Sequence, residues 1–145
     1  MTKIQKTIFK LTILILFPIV TLASSHIRTI DVYSICNTKT STIRNVSEIV
    51  KKVVYKRDGV IFTSGSGLYE VDHRVALTDG GSNDITNLMI QPFFGKCNVH
   101  AKDKLEVKLH TLICKGKIDV IFAQELLYNN WIKGYKLYVD PKGCN

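Results

Sequence analysis

Apolar residues run almost unbroken from Leu11 to Leu22, whereas beyond Ser25 they recur in short periodic groups separated by polar and glycine-rich stretches. The unbroken run follows Lys3, Lys6 and Lys10 and ends at Ala23, Ser24 and Ser25. A positive leader, an apolar stretch and small residues at its end are the layout of an export signal. The run is shorter than the roughly 20 apolar residues that span a bilayer, and Pro18 near its end favours removal over anchoring. Residues 1–23 are therefore expected to be a signal peptide. Residues 24–145 are expected to form one secreted or periplasmic domain with no membrane association once the signal is cleaved.

Within that domain the pattern changes period several times. Ile30, Val32 and Ile35 alternate in strand fashion. Ser47 is placed to cap a helix in which Ile49, Val50, Val53 and Val54 share a face, ending at the turn signal Asp58-Gly59. Val60 to Phe62 reads as a short strand, followed by a flexible Ser64-Gly65-Ser66-Gly67 connection. Leu68 to Ala76 reads as a strand with Asp72 and His73 near its end. A glycine-rich turn over Thr78 to Asn83 follows, and then a return strand from Leu88 to Gln91, stopped by Pro92. Asn98 can cap a helix whose apolar face is Leu105, Leu109, Leu112 and Ile113, with Gly116 as its terminator. Asp119 can cap a second helix running toward Trp131. Tyr135 to Tyr138 alternates apolar and polar residues, as a strand or an ordered arm would. The predicted class is α+β, with a strand, loop, strand, helix core and flanking helices.

Composition narrows the setting. All four cysteines, Cys36, Cys97, Cys114 and Cys144, lie beyond the leader. An even count in a small exported domain reads as a disulfide framework, here two bridges whose pairing the spacing leaves open. No two are spaced as C-x-x-C, which argues against a zinc ribbon. The net charge of +8 includes the three leader lysines, so the mature chain carries about +5. That excess favours polyanions without demanding them.

The chemistry-bearing residues concentrate between Tyr69 and Glu106. Hydrolysis of a phosphodiester needs a base to activate water, a cation against the charge of the transition state, and help for the leaving oxygen. His73 at a strand end is suited to be the base near neutral pH. Asp72 points to the other side of an ideal strand and can join the same site only if the strand ends or twists there. As a hard oxygen donor it suits magnesium. Asn87, across the hairpin, can hydrogen-bond to backbone and so keep the imidazole oriented. His100, Asp103 and Glu106 lie near the start of the following helix, at i, i+3, i+6, and one of them can complete a metal site. Arg74, Lys102 and Lys104 are candidate phosphate contacts, with Lys108, Arg44, Lys51 and Lys52 behind them.

Asp72-His73, the Gly80-Gly81-Ser82-Asn83-Asp84 turn, Asn87-Leu88 and His100 together resemble the HNH endonuclease motif, whose fold is the ββα-metal finger. Lys102-Asp103-Lys104-Leu105-Glu106, with Cys114 and Gly116 beyond and Arg44, Tyr55 and Gly59 upstream, is similar to small exported bacterial proteins of that family. The likeness covers most of the mature chain. It departs from the family in a longer interval from Asn87 to His100 and in lacking paired-cysteine zinc knuckles. The resemblance implies a metal-dependent endonuclease acting on DNA or RNA with low sequence specificity. His73 would be the general base, Asn87 the residue that orients it, and Asp72 and His100 the ligands of one divalent ion, Mg2+ in the first instance, with Mn2+ or Zn2+ as alternatives. Asp103 or Glu106 would replace His100 if the helix presented them instead. The chain is expected to act as a monomer, with an immunity or inhibitor protein as a partner left open. The competing expectation is a secreted nucleic-acid-binding or effector protein that keeps the frame without catalysis.

Overall fold

A computed structural model describes residues 24–62 and 67–144, so the expected signal peptide and most of the Ser64-Gly67 connection lie outside the described residues. Four helices surround a two-stranded antiparallel sheet among those residues: α1 (Val32–Asn37), α2 (Glu48–Arg57), β1 (Tyr69–His73), β2 (Leu88–Pro92), α3 (Val99–Cys114) and α4 (Val120–Tyr138). The strands pair in the register Tyr69 with Pro92, Val71 with Ile90 and His73 with Leu88. The protein is thus a mixed α and β structure, with two disulfide bridges.

Polar caps set most of the helix starts. The side chains of Ser47, Asn98 and Asp119 accept hydrogen bonds from Val50 N, Ala101 N and Phe122 N, satisfying amide donors that the first helical turn leaves unpaired. Asp31 does the same for Ser34 N, and this cap turns the segment around Val32 and Ile35 into α1 where the alternation predicts a strand. Only Ile27 keeps a β contact there, an isolated bridge to Gly81. Val60 to Phe62 is not a strand; Phe62 instead sets its ring edge-on against Tyr55. Tyr135 to Tyr138 continues α4 rather than forming an arm, past a kink at Asn130 (φ −160°, ψ 68°).

Two faces differ from the periodic reading. In α2, Ile49 and Val53 are exposed, and Val54 and Tyr55 carry the burial. In α4, Ile121 and Phe122 are exposed while Val120, Ala123, Gln124 and Leu127 are buried. The main core joins Val75 of the hairpin loop to Ala101, Leu105 and Leu109 of α3 and Leu127 and Tyr135 of α4. A smaller cluster of Ile35, Ile113, Val120 and Ala123 packs α1 against the far end of α3. The bridges clamp α3 at both ends: Cys114, its last residue, pairs with Cys36, and Cys97, just before its start, pairs with Cys144. No helix among the described residues is long and apolar enough to cross a membrane. The two disulfides fit an oxidising compartment outside the cytosol.

The loop between β1 and β2 is held rather than free. Gly80 O accepts hydrogen bonds from Arg28 N (2.8 Å) and Thr29 N (3.1 Å), and Gln124 Nε2 donates to Thr29 O (2.9 Å) and Asp79 O (2.8 Å). Gly80 has φ 90°, and a Cβ at Gly81 would run into the Val75 carbonyl oxygen, so both positions require glycine.

Candidate functional site

His73 is the last residue of β1 and is 3% exposed. Because the strand ends there, Asp72 folds back instead of pointing away, and its Oδ1 accepts from His73 N at 2.7 Å. The imidazole Nε2 lies 3.1 Å from Asn83 Oδ1. Two backbone contacts fix which way that amide faces: Asn83 Nδ2 donates to Ile43 O (2.6 Å), and Oδ1 accepts from Asn45 N (3.2 Å). An oxygen facing Nε2 must accept, so Nε2 carries the ring proton and Nδ1 the lone pair. Burial lowers the His73 pKa below the usual 6.5, with the Asn83 hydrogen bond acting in the opposite sense. The unprotonated form, the one a base needs, is therefore favoured.

Asn87 is fully buried and spans the loop. Its Oδ1 accepts from Val75 N (2.9 Å), and its Nδ2 donates to Val75 O (2.9 Å) and Ser82 O (2.8 Å). It touches the backbone on both sides of the turn that carries Asn83, and so acts on His73 through the loop. Asn83 makes the direct contact. The sequence places Asn83 inside the resembling motif, but its role depends on Ile43 and Asn45 some forty residues upstream, which no local pattern exposes.

Helix α3 meets β1 through Lys102, whose side chain is wholly buried. Its ammonium donates to Asp72 Oδ2 (2.7 Å), His73 O (2.6 Å) and Glu106 Oε1. These three acceptors take all three ammonium donors. Lys102 is therefore sequestered and is not the phosphate contact that the sequence suggests. Burial opposes the charge on Lys102, but the Glu106 and Asp72 carboxyl groups outweigh it and hold its pKa above the ordinary lysine value. Burial pushes Glu106 up to about 8, against the pull of Lys102. The ammonium lies between the Asp72 and Glu106 carboxyl groups with an acceptor for each of its donors, the pairing that a charge in a low-dielectric interior requires.

The same geometry separates His100 from the site. His100 precedes Lys102 by two residues, about 160° around the helix. Its side chain is 67% exposed, near Phe93 and 3.9 Å from Asp103 Oδ2. Asp103 is likewise exposed, at 57%. Glu106, one turn beyond Lys102, is the member of the three candidates that faces Asp72, so the three do not share a face. Arg74 stands with its guanidinium 5.7 Å from the Tyr128 ring centre, and Lys104 is exposed on the flank of α3 turned away from Lys102.

A pocket of about 90 Å3 opens beside these groups, with Thr40, Arg44, Asp72, His73, Thr78 and Glu106 among the residues that line it. That is room for about three waters or one phosphate-sized group. Arg44 makes no side-chain hydrogen bond or ion pair among the described residues, and its charge pulls down the Glu70 carboxyl against burial, so its guanidinium donors are open to an anion within reach of that carboxyl's field. The metal that the resemblance implies does not fit this arrangement. Asp72 and His100 do not converge, and both Asp72 oxygens already accept, one from His73 N and one from Lys102. Among the described residues no cluster of three or more His, Cys, Asp or Glu is placed to hold an ion.

Further along the same stripe of α3, His110 Nδ1 lies 3.3 Å from Asp79 Oδ1, a carboxylate with no exposure. The two are at ion-pair distance but off hydrogen-bond alignment, since neither atom has an aligned partner. The pair pins the hairpin loop to α3 outside the pocket.

Compared with protein-family models, curated proteins and solved structures, the chain matches none.

Proposed function

We propose that the protein is an exported phosphodiesterase of HNH type that cleaves nucleic acid, DNA or RNA, by general acid and base catalysis in the Arg44, His73, Glu106 pocket. The observation that carries this reading is the fixed tautomer of His73, with Nε2 tied to Asn83 and Nδ1 unprotonated, in a pocket that Arg44 and Glu106 also line. His73 Nδ1 takes a proton from water as the water oxygen bonds to phosphorus. Arg44 pairs with a non-bridging phosphate oxygen and offsets the charge gathering there. The P–O bond to the leaving oxygen breaks as that oxygen receives a proton from Glu106, whose second carboxyl oxygen is not used by Lys102. The exposed lysines of the mature chain would hold the backbone without reading sequence.

The second reading, a nucleic-acid-binding or effector protein without catalysis, is favoured by one observation: each Asp72 oxygen already accepts a hydrogen bond, one from His73 N and one from Lys102. Plasmid cleavage separates the two. Mature, oxidised protein is expected to nick plasmid DNA, and His73→Ala, folded by circular dichroism, is expected to lose about 10²- to 10⁴-fold in rate. If wild type and the variant leave plasmid and RNA equally intact with and without magnesium or manganese, the binding reading stands.

A further inference from the structure

We infer that the Lys102 ammonium is the resident cation of the Asp72 and Glu106 carboxyl pair and that it excludes a divalent ion from this position. The chain supplies from its own helix the positive charge that these carboxyl groups would otherwise draw from solution.

Three observations converge on this. The ammonium has three protein acceptors, one for each N–H, so it lies in a complete cradle and not at the edge of one. Those acceptors, a carboxylate oxygen, a backbone carbonyl and a carboxyl oxygen, are the hard oxygen donors that magnesium or manganese would select. The cation is also covalently placed. Lys102 lies in the first turns of α3 between Ala101 and Leu105, which are both buried in the core, and Cys97 ties the start of that helix to Cys144. An ion entering the cradle would have to drive a buried ammonium out past these neighbours or bind about 4 Å from it, where repulsion between the two charges in a low-dielectric site opposes binding. The side chain has no exposure through which to swing aside.

The inference does not depend on the hydrolysis reading, because metal binding, not turnover, tests it. Mn2+ binding to the mature, oxidised protein is measured by electron paramagnetic resonance and by calorimetry, for wild type and for Lys102→Met, which keeps the stem and removes the charge. Wild type is expected to show no site tighter than about 1 mM, the weak end of protein sites for such ions. Lys102→Met is expected to bind Mn2+ at least about tenfold more tightly than wild type, releasing a proton from Glu106 as it does so. Its melting temperature should rise with added Mn2+, and Lys102→Met/Glu106→Gln should lose both effects.

A second measurement reads the wild-type protein directly, so that a Lys102→Met chain that does not fold leaves the inference testable. A buried, fully bonded ammonium gives a slowly exchanging 15N resonance, expected to be unmoved by excess Mg2+. Displacement of that resonance by Mg2+ overturns the inference. So does a wild-type Mn2+ site tighter than about 0.1 mM that Asp72→Asn abolishes, or a folded Lys102→Met that binds no metal. Cleavage that proceeds in chelator with no metal bound supports both readings. Absence of cleavage together with an unmoved ammonium overturns only the hydrolysis reading.

Discussion

His73 and Glu106 are displaced from their ordinary acidities in opposite functional senses: burial keeps the imidazole unprotonated and the carboxyl protonated. A base below 6.5 and an acid near 8 bracket neutral pH, so cleavage should follow a bell whose acid limb falls below pH 6.5 and whose alkaline limb falls near about 8. Glu106→Gln keeps the acceptor that Lys102 needs while removing the proton. It should melt within a few degrees of wild type yet lose the alkaline limb and most of the rate, which a pH–rate profile alongside a thermal melt would reveal. His73 also makes stability depend on pH. Its folded pKa is depressed, so the stability it contributes is full above 6.5 and is lost as pH falls through the folded value. Asn87→Ala strips Val75 N and O and Ser82 O of their partner inside the core and should cost about 3 kcal/mol in a urea melt. Lys102 shows what was hidden at this scale. Lysines are rarely buried without partners, and the i, i+4 spacing to Glu106 is visible in sequence, but Asp72, thirty residues away, decides the burial.

At the scale of elements, capping chemistry carried the reading further than apolar periodicity did. Ser47, Asn98 and Asp119 each begin a helix as their side chains allow. The hairpin of Tyr69–His73 and Leu88–Pro92 was legible because a glycine-rich turn separates two short apolar runs and a proline stops the second. Alternation misled at Ile30 to Ile35, where the Asp31 cap and burial of Ile35 against Ile113 select a helix. It misled again at Tyr135, which packs into the main core on α4. The bridges depend on tertiary placement, and spacing left all three pairings open. Their weight falls on α3: removing the Cys36–Cys114 bond with paired alanines should lower stability by about 2–5 kcal/mol and lower the melting temperature. Differential scanning calorimetry of the variant against wild type tests this, and an unchanged melting temperature would show that the non-covalent core holds the helix alone.

Across the whole molecule, the two bridges overlap along the chain. One encloses Cys36 to Cys114 and the other Cys97 to Cys144, with sequence separations of 78 and 47 residues. Every peptide bond between Cys36 and Cys144 therefore falls within at least one covalent loop. A protease that cuts once anywhere in that interval produces a nicked molecule, not two free fragments. The nicked form should run as one band without reductant and as two with it, and the pieces should stay together through denaturant. This wiring makes a first cut a scar that leaves the molecule in one piece, so that separating its parts demands a second cut or a reducing agent.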